Sequence, residues 1–361
     1  MNRLSWIDNL KGFLLVLVVI NHTAPTDGDW GAEYYGVFFM PAFFLISGVL
    51  YNPDKWGGIS SYVKSKVRTL LWPYFSLSFL LLLLDPTIYF VCRFEPTGTL
   101  QALLAPLSLS PKAMGIMMNL YVCTIDIMQG QSFYHTGPLW FVYALFFTSV
   151  LFHVFSCAVR RMLGKRLCLG TIGYSVMALL VSWYLYETKT KLPFSIDVVC
   201  CSSIFYGAGV ALRHVVLGKI TSCSVKKGSV LLLGSFVCYT FGYVTNGRVG
   251  LNGNMLGAGH FLPGFVLGTF GGSLLVITLF ALVSRSEAVC RWMYPLRIMA
   301  RNAIMLLPMH MYVIYQLRVW CPGCPAVLIL VIECVVVALL IPVFNKYLYF
   351  LIGKKTSKFS F

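Results

Sequence analysis

Near the N-terminus, Asp8, Lys11 and His22 stand inside an otherwise apolar stretch, "WIDNLKGFLLVLVVINH". Each residue of an α-helix turns 100° and rises 1.5 Å. Positions eleven apart therefore differ by about 20° and lie about 16 Å apart along the axis. Lys11 and His22 share a face, and Asp8 lies within about 40° of His22 on it. Histidine titrates near neutrality, so it suits work as a general base or as a nucleophile. Two accounts fit these residues. In one, Asp8 and Lys11 form an ion pair at the helix end and His22 reaches to the outer interface. In the other, the stripe faces a bundle interior or cavity, where ionisable residues inside membranes usually point because each costs at least ~2.5–3.5 kcal/mol. The stripe favours the second.

The elements that must position such a stripe are membrane-spanning helices. Of the 361 residues, 58% are apolar and only 11% charged, against about 45–50% and 25% in soluble domains. Runs such as "AVLILVIECVVVALLIPVF" approach the ~20 residues that cross a bilayer. The reading is an all-α, polytopic transmembrane helix bundle with about ten spans and both termini cytoplasmic. The spans are expected near 9–26, 35–52, 68–91, 137–157, 168–186, 196–214, 228–246, 260–283, 296–316 and 325–350. The first apolar stretch lacks the pattern of a cleavable signal and is taken as the first span.

The net charge of +16 raises the question of nucleic acid, and its distribution answers it. With the N-terminus inside, 22 of the 28 Lys and Arg residues fall on the inner side. Arg93, Lys112, Lys189, Lys191, Arg248 and Arg318 are left outside. That is the positive-inside bias of a membrane protein in contact with anionic lipid, not a nucleic-acid footprint. Most of the twelve cysteines lie in or beside spans and read as small hydrophobes. "CPGC" at Cys321 to Cys324 falls in an outer turn, and two cysteines alone make a weak redox or metal motif; no metal site is expected. One domain is read over 1–361, with an outer loop or interfacial cap at 92–136 and no appended soluble domain.

Two further stretches carry candidate residues. In "FFMPAFFLISGVLY", Pro41 invites a kink, and Ser47 and Gly48 allow close approach of a neighbouring backbone. In "YVKSKVRTLLWPYF", Lys64, Lys66 and Arg68 form a basic cluster at the inner mouth, suited to phosphates or lipid head groups. His153 and His214 fall at inner helix ends and read as interfacial; His135 and His260 lie at outer edges.

Taken in order, "WIDNLKGFLLVLVVINH", "FFMPAFFLISGVLY", "KSKVRTLLWPYF", "GPLWFVYALFF" and "ARNAIMLLPMHMYVI" resemble the signature stretches of the acyltransferase-3 membrane proteins. The nearest branch is that of fucose 4-O-acetylase-like or polysaccharide O-acetyltransferases. The resemblance implies transfer of an acyl group, usually acetyl, from cytoplasmic acyl-CoA to a hydroxyl of a cell-envelope glycan or its lipid-linked precursor. It implies a multi-pass protein of the inner (plasma) membrane, with no permanently bound cofactor and acetyl-CoA as donor substrate. Carried over by position, it assigns catalytic roles to His22, Lys11 and His310. Asp8, Ser47, Lys66, Arg68 and Trp140 would bind acyl-CoA or substrate. Lys11 stands where many relatives have Arg, and Ala300 and Leu307 replace the usual Gly and Tyr near His310. The donor would enter at the inner basic set and thread its pantetheine arm toward His22, which acts as the base of direct transfer or passes through an acyl-imidazole. The rival reading is a transporter or flippase for a glycan or small solute, with the stripe lining its path; the repeated halves usual in transporters are not evident.

Overall fold

The computed structural model describes residues 5–24, 30–90, 110–131, 134–163, 167–253 and 256–355. Among these, every regular element is helical apart from one isolated bridge residue, as expected where apolar surroundings leave the backbone no water to bond. The principal helices are α1 (Ser5–Thr23), α2 (Phe39–Val49), α3 (Ile59–Lys66), α4 (Trp72–Leu84), α5 (Pro111–Met128), α6 (Trp140–Leu163) and α7 (Leu167–Glu187). They continue with α8 (Ile196–His214), α9 (Val225–Asn246), α10 (Leu262–Val283), α11 (Tyr294–Arg301), α12 (Ala303–Trp320) and α13 (Ala326–Lys346).

Eight of the helical segments are long and apolar enough to cross a membrane. The two remaining expected spans correspond to α1 and α12, of 19 and 18 residues. Their mean hydropathy is diluted by Asp8, Lys11 and His22 in one and by His310, Gln316 and Arg318 in the other. The helices carrying the candidate chemistry are thus the least lipid-like, and both pack inside the bundle, α1 against α2, α10, α11, α12 and α13.

The expected span 296–316 is broken. Its first part, α11, ends at Asn302, whose side chain donates to Ile298 O (2.9 Å) and accepts from Asn345 Nδ2 (2.9 Å). A side chain that bonds the preceding turn competes with helix propagation. Gly12 lets α1 seat directly on α11: a Cβ there would lie 2.0 Å from Leu296 O. At the crossing of α2 and α8 the fit is reciprocal. A Cβ on Gly48 would lie 2.0 Å from Tyr206 O, and one on Gly209 2.0 Å from Leu45 O. The small residues therefore bring the backbones themselves into contact. Arg213 then closes the end of α2, donating to Val49 O (2.9 Å) and Tyr51 O (2.6 Å).

Helix α5 runs back along α4. Lys112 covers the Phe90 ring (5.6 Å), Asn119 donates to Ile88 O (2.9 Å) and Tyr74 donates to Ile127 O (2.7 Å). Its end lies beside Tyr143 near the start of α6. Residues 91–109, the first part of the expected outer cap, lie outside the described residues.

Candidate active site

The stripe on α1 divides between two cavities. The first, of about 330 Å³, is lined by Lys11, Ser47, Lys55, Trp56, Tyr62 and Lys66, with Tyr51, Asn52 and Tyr206 beside them. The second, of about 200 Å³, is lined by Asn21, His22, Trp140, Arg248 and Asn252 over an apolar wall that includes Leu15, Phe43 and Phe141. On each of three helices the two cavities are one turn apart. Lys11 and Leu15 of α1, Phe43 and Ser47 of α2, and Phe141 and Leu145 of α6 each face one cavity and then the other. What lies between is aromatic: Phe43 and Phe44 pack against Phe141 with ring centroids 5.3 and 5.0 Å apart.

The first cavity is cationic. Lys66 lies over the Tyr62 ring (5.3 Å) and Lys55 over Trp56 (5.4 Å). Ser47 Oγ donates to Phe43 O (2.8 Å), leaving its lone pairs as acceptors. Behind Tyr62, His153 is buried, not interfacial as its position near a helix end suggested. It stacks on Tyr62 (4.0 Å, 15°), and its Nδ1 bonds Tyr51 OH (2.8 Å). The imidazole braces the tyrosine wall of the cavity. Arg68 is exposed in the π-turn Val67–Leu71 and does not line the cavity. Two positions on from Lys66, it lies about 200° around the helix from it and faces away. Asp8 and Lys11 make no direct ion pair among the described residues.

The second cavity is held from behind. Arg318 of α12 donates through Nη2 to the carbonyls of His22 (3.2 Å), Thr23 (3.2 Å) and Ala24 (2.9 Å). These are orphan carbonyls of the last turn of α1, and a cation there satisfies both their lone pairs and the helix dipole. His22 is thus fixed by its own backbone. Arg248 donates to Asn21 Oδ1 (2.9 Å) and brings a second guanidinium to the cavity wall. The His310 ring meets the His22 ring at 5.6 Å. His310 is fully buried, and its Nδ1 faces Leu306 O at 2.9 Å. A carbonyl only accepts, so Nδ1 carries the proton and Nε2 a lone pair. Trp140 lines the cavity with its ring edge-on to Phe141.

The structure therefore gathers His22 and Trp140 around one cavity, with His310 ring-to-ring against His22 but outside that cavity's lining, and Lys11, Ser47 and Lys66 around the other. The sequence reasoning missed Arg248, Arg318, Asn21, Lys55, Trp56 and His153. One signal pointed to two of them: Arg248 and Arg318 belong to the six basic residues left outside by the charge bias.

The family model described as an acyltransferase domain, that of the acyltransferase-3 proteins, matches residues 4–346. The chain belongs to this family and is a membrane acyltransferase. Neither the curated proteins nor the solved structures include a match to it.

Proposed function

We propose that this membrane acyltransferase moves an acetyl group from cytoplasmic acyl-CoA to a hydroxyl of a cell-envelope glycan or its lipid-linked precursor. Within the family this is the activity of the fucose 4-O-acetylase-like and polysaccharide O-acetyltransferase branch. The observation that carries the reading is the stacking of a cationic cavity and a His22-bearing cavity one helical turn apart. The anionic end of acyl-CoA meets Lys11, Lys55 and Lys66 in the first, at the cytoplasmic side of the inner (plasma) membrane. Its extended arm passes the Phe43/Phe141 partition, and the thioester reaches His22. The ~16 Å between Lys11 and His22 suits that arm. Acceptor hydroxyl and thioester then share the second cavity, where Trp140 offers a stacking face for a sugar.

Acyl transfer to a hydroxyl needs a base and a stabiliser for the developing oxyanion. His22 takes the hydroxyl proton as the oxygen attacks the thioester carbonyl. The Arg248 guanidinium supplies positive charge on the same wall. The C–S bond breaks, the proton passes from His22 to the departing thiolate, and the products are an ester and free CoA thiol. The His310 ring packs against the His22 ring from behind and limits its movement.

The test is acetyl transfer from labelled acetyl-CoA in membrane vesicles, read by mass spectrometry of surface glycan. His22→Ala abolishes transfer while the protein remains folded by thermal melting. Lys11→Met and Lys66→Met raise the KM for acetyl-CoA. Undiminished transfer by His22→Ala refutes the assignment, and solute movement without acetyl-CoA consumption replaces it with transport.

A further inference from the structure

A third cavity lies on the opposite side of α1, between α1, α12 and α13. It holds about 320 Å³ and is walled by Val19, Ile20, Leu330, Val337 and Ile341. Its polar members are His310 and Glu333, each 1% exposed. Helix α13 is exposed along much of its length at Leu328, Val331, Val335 and Leu339. The cleft therefore borders the lipid face of the bundle, not either aqueous side.

The two buried polar residues are incompletely bonded. Among the described residues, neither His310 Nε2 nor Glu333 Oε2 has a hydrogen-bond partner. With Nδ1–H committed to Leu306 O, Nε2 is a bare acceptor. Thr23 Oγ1 lies 2.8 Å from Val19 O and 3.0 Å from Glu333 Oε1, and a hydroxyl has one proton. When Thr23 donates along the shorter contact, the proton between Thr23 and Glu333 is the carboxyl's own, and Oε2 is an acceptor too. An unpaired buried acceptor is costly, and a donor carried on an apolar body can reach these two from the hydrocarbon side.

We propose that this cleft is a lateral binding site for the hydrocarbon chain of a lipid-borne alcohol. Its hydroxyl donates to the acceptors at the cleft floor, beside the ring that touches His22. An alcohol enters from hydrocarbon as a neutral species, whereas an ammonium must be desolvated at far greater cost. This binding site does not depend on the transfer reaction proposed above.

The experiment uses the full-length protein in nanodiscs with a long-chain alcohol bearing an aliphatic diazirine, cross-links being mapped by peptide mass spectrometry. Labelling is expected on α13 around residues 330–341. Unlabelled dodecanol at nine times its Kd lowers it about tenfold, and dodecyl methyl ether, which has no donor, leaves it unchanged. Ala338→Trp, at the lipid-facing rim of the cleft, fills it and removes the competable labelling. His22→Ala keeps that labelling although transfer is lost, so failure of the reaction and failure of the site are distinguishable. Labelling spread evenly over α9 and α13 that dodecanol does not displace overturns the site. Equal competition by the ether overturns recognition through the hydroxyl.

Discussion

The crossing of α2 and α8 gives the sharpest stability test, because two glycines each exclude a methyl group from the same contact. In Gly48→Ala the new Cβ would meet Tyr206 O at 2.0 Å, whereas ordinary contact begins near 3.4 Å. The obstacle is backbone, so no side chain can rotate away, and the helices must part by about 1.4 Å. Overpacking of this kind costs ~1–3 kcal/mol. The consequence reaches the site, since Ser47 and Tyr206 line the cationic cavity from these two helices. A displacement on the order of 1 Å in a positioning element lowers a rate by up to about 100-fold. The comparison variant is Gly234→Ala in α9, where a Cβ meets nothing within 4 Å; there the loss of chain entropy alone gains ~0.5–1 kcal/mol. Thermal melting in detergent and transfer from labelled acetyl-CoA are measured on both, with Gly209→Ala and the Gly48/Gly209 double variant. Each single variant at the crossing melts below the parent. The double variant loses less than the sum, because the first methyl has already separated the helices. If Gly48→Ala melts and turns over like the parent, α2 and α8 do not meet backbone to backbone at this crossing.

Two further outcomes follow from the walls of the cavities. Arg318→Gln removes a charged donor shared by three carbonyls at the end of α1; such bonds contribute ~1.5–3 kcal/mol. It lowers kcat far more than it alters the KM for acetyl-CoA, and a pure KM effect in steady-state kinetics would show that Arg318 does not hold His22. His153→Phe keeps the stack on Tyr62 but leaves the Tyr51 hydroxyl without its imidazole partner. It costs ~1–3 kcal/mol in a denaturant or thermal melt, and an unchanged melt would remove the bracing role assigned to His153.

Much of this protein is legible along the chain because a bilayer is a demanding solvent. It forces helices of a set length, so apolar runs revealed the bundle without reference to tertiary contacts. Helical periodicity placed Lys11 and His22 on one face of α1, and that relation is local, fixed by 100° per residue. The tie from Asn302 to Asn345 was not legible, since it joins residues 43 positions apart in the chain.

Contacts between distant segments decided everything about what surrounds that face. Arg318 and Arg248 read as loop charges, yet they reach Asn21, His22 and their neighbours across 227 to 296 positions. Lys66 and Arg68 stand two apart, about 200° around the helix, and only the packing of α1, α2 and α6 decides that the cavity lies on the side of Lys66. Glu333 in "LVIECVVV" reads as an anomaly of hydropathy; its meaning comes from Thr23 and His310, brought beside it by the packing of α1, α12 and α13. The helices and the face of α1 that carries chemistry can be read along the chain, because both follow from local geometry and the solvent. Only the tertiary structure divided that face between two cavities, because a cavity is made by the side chains of several helices at once.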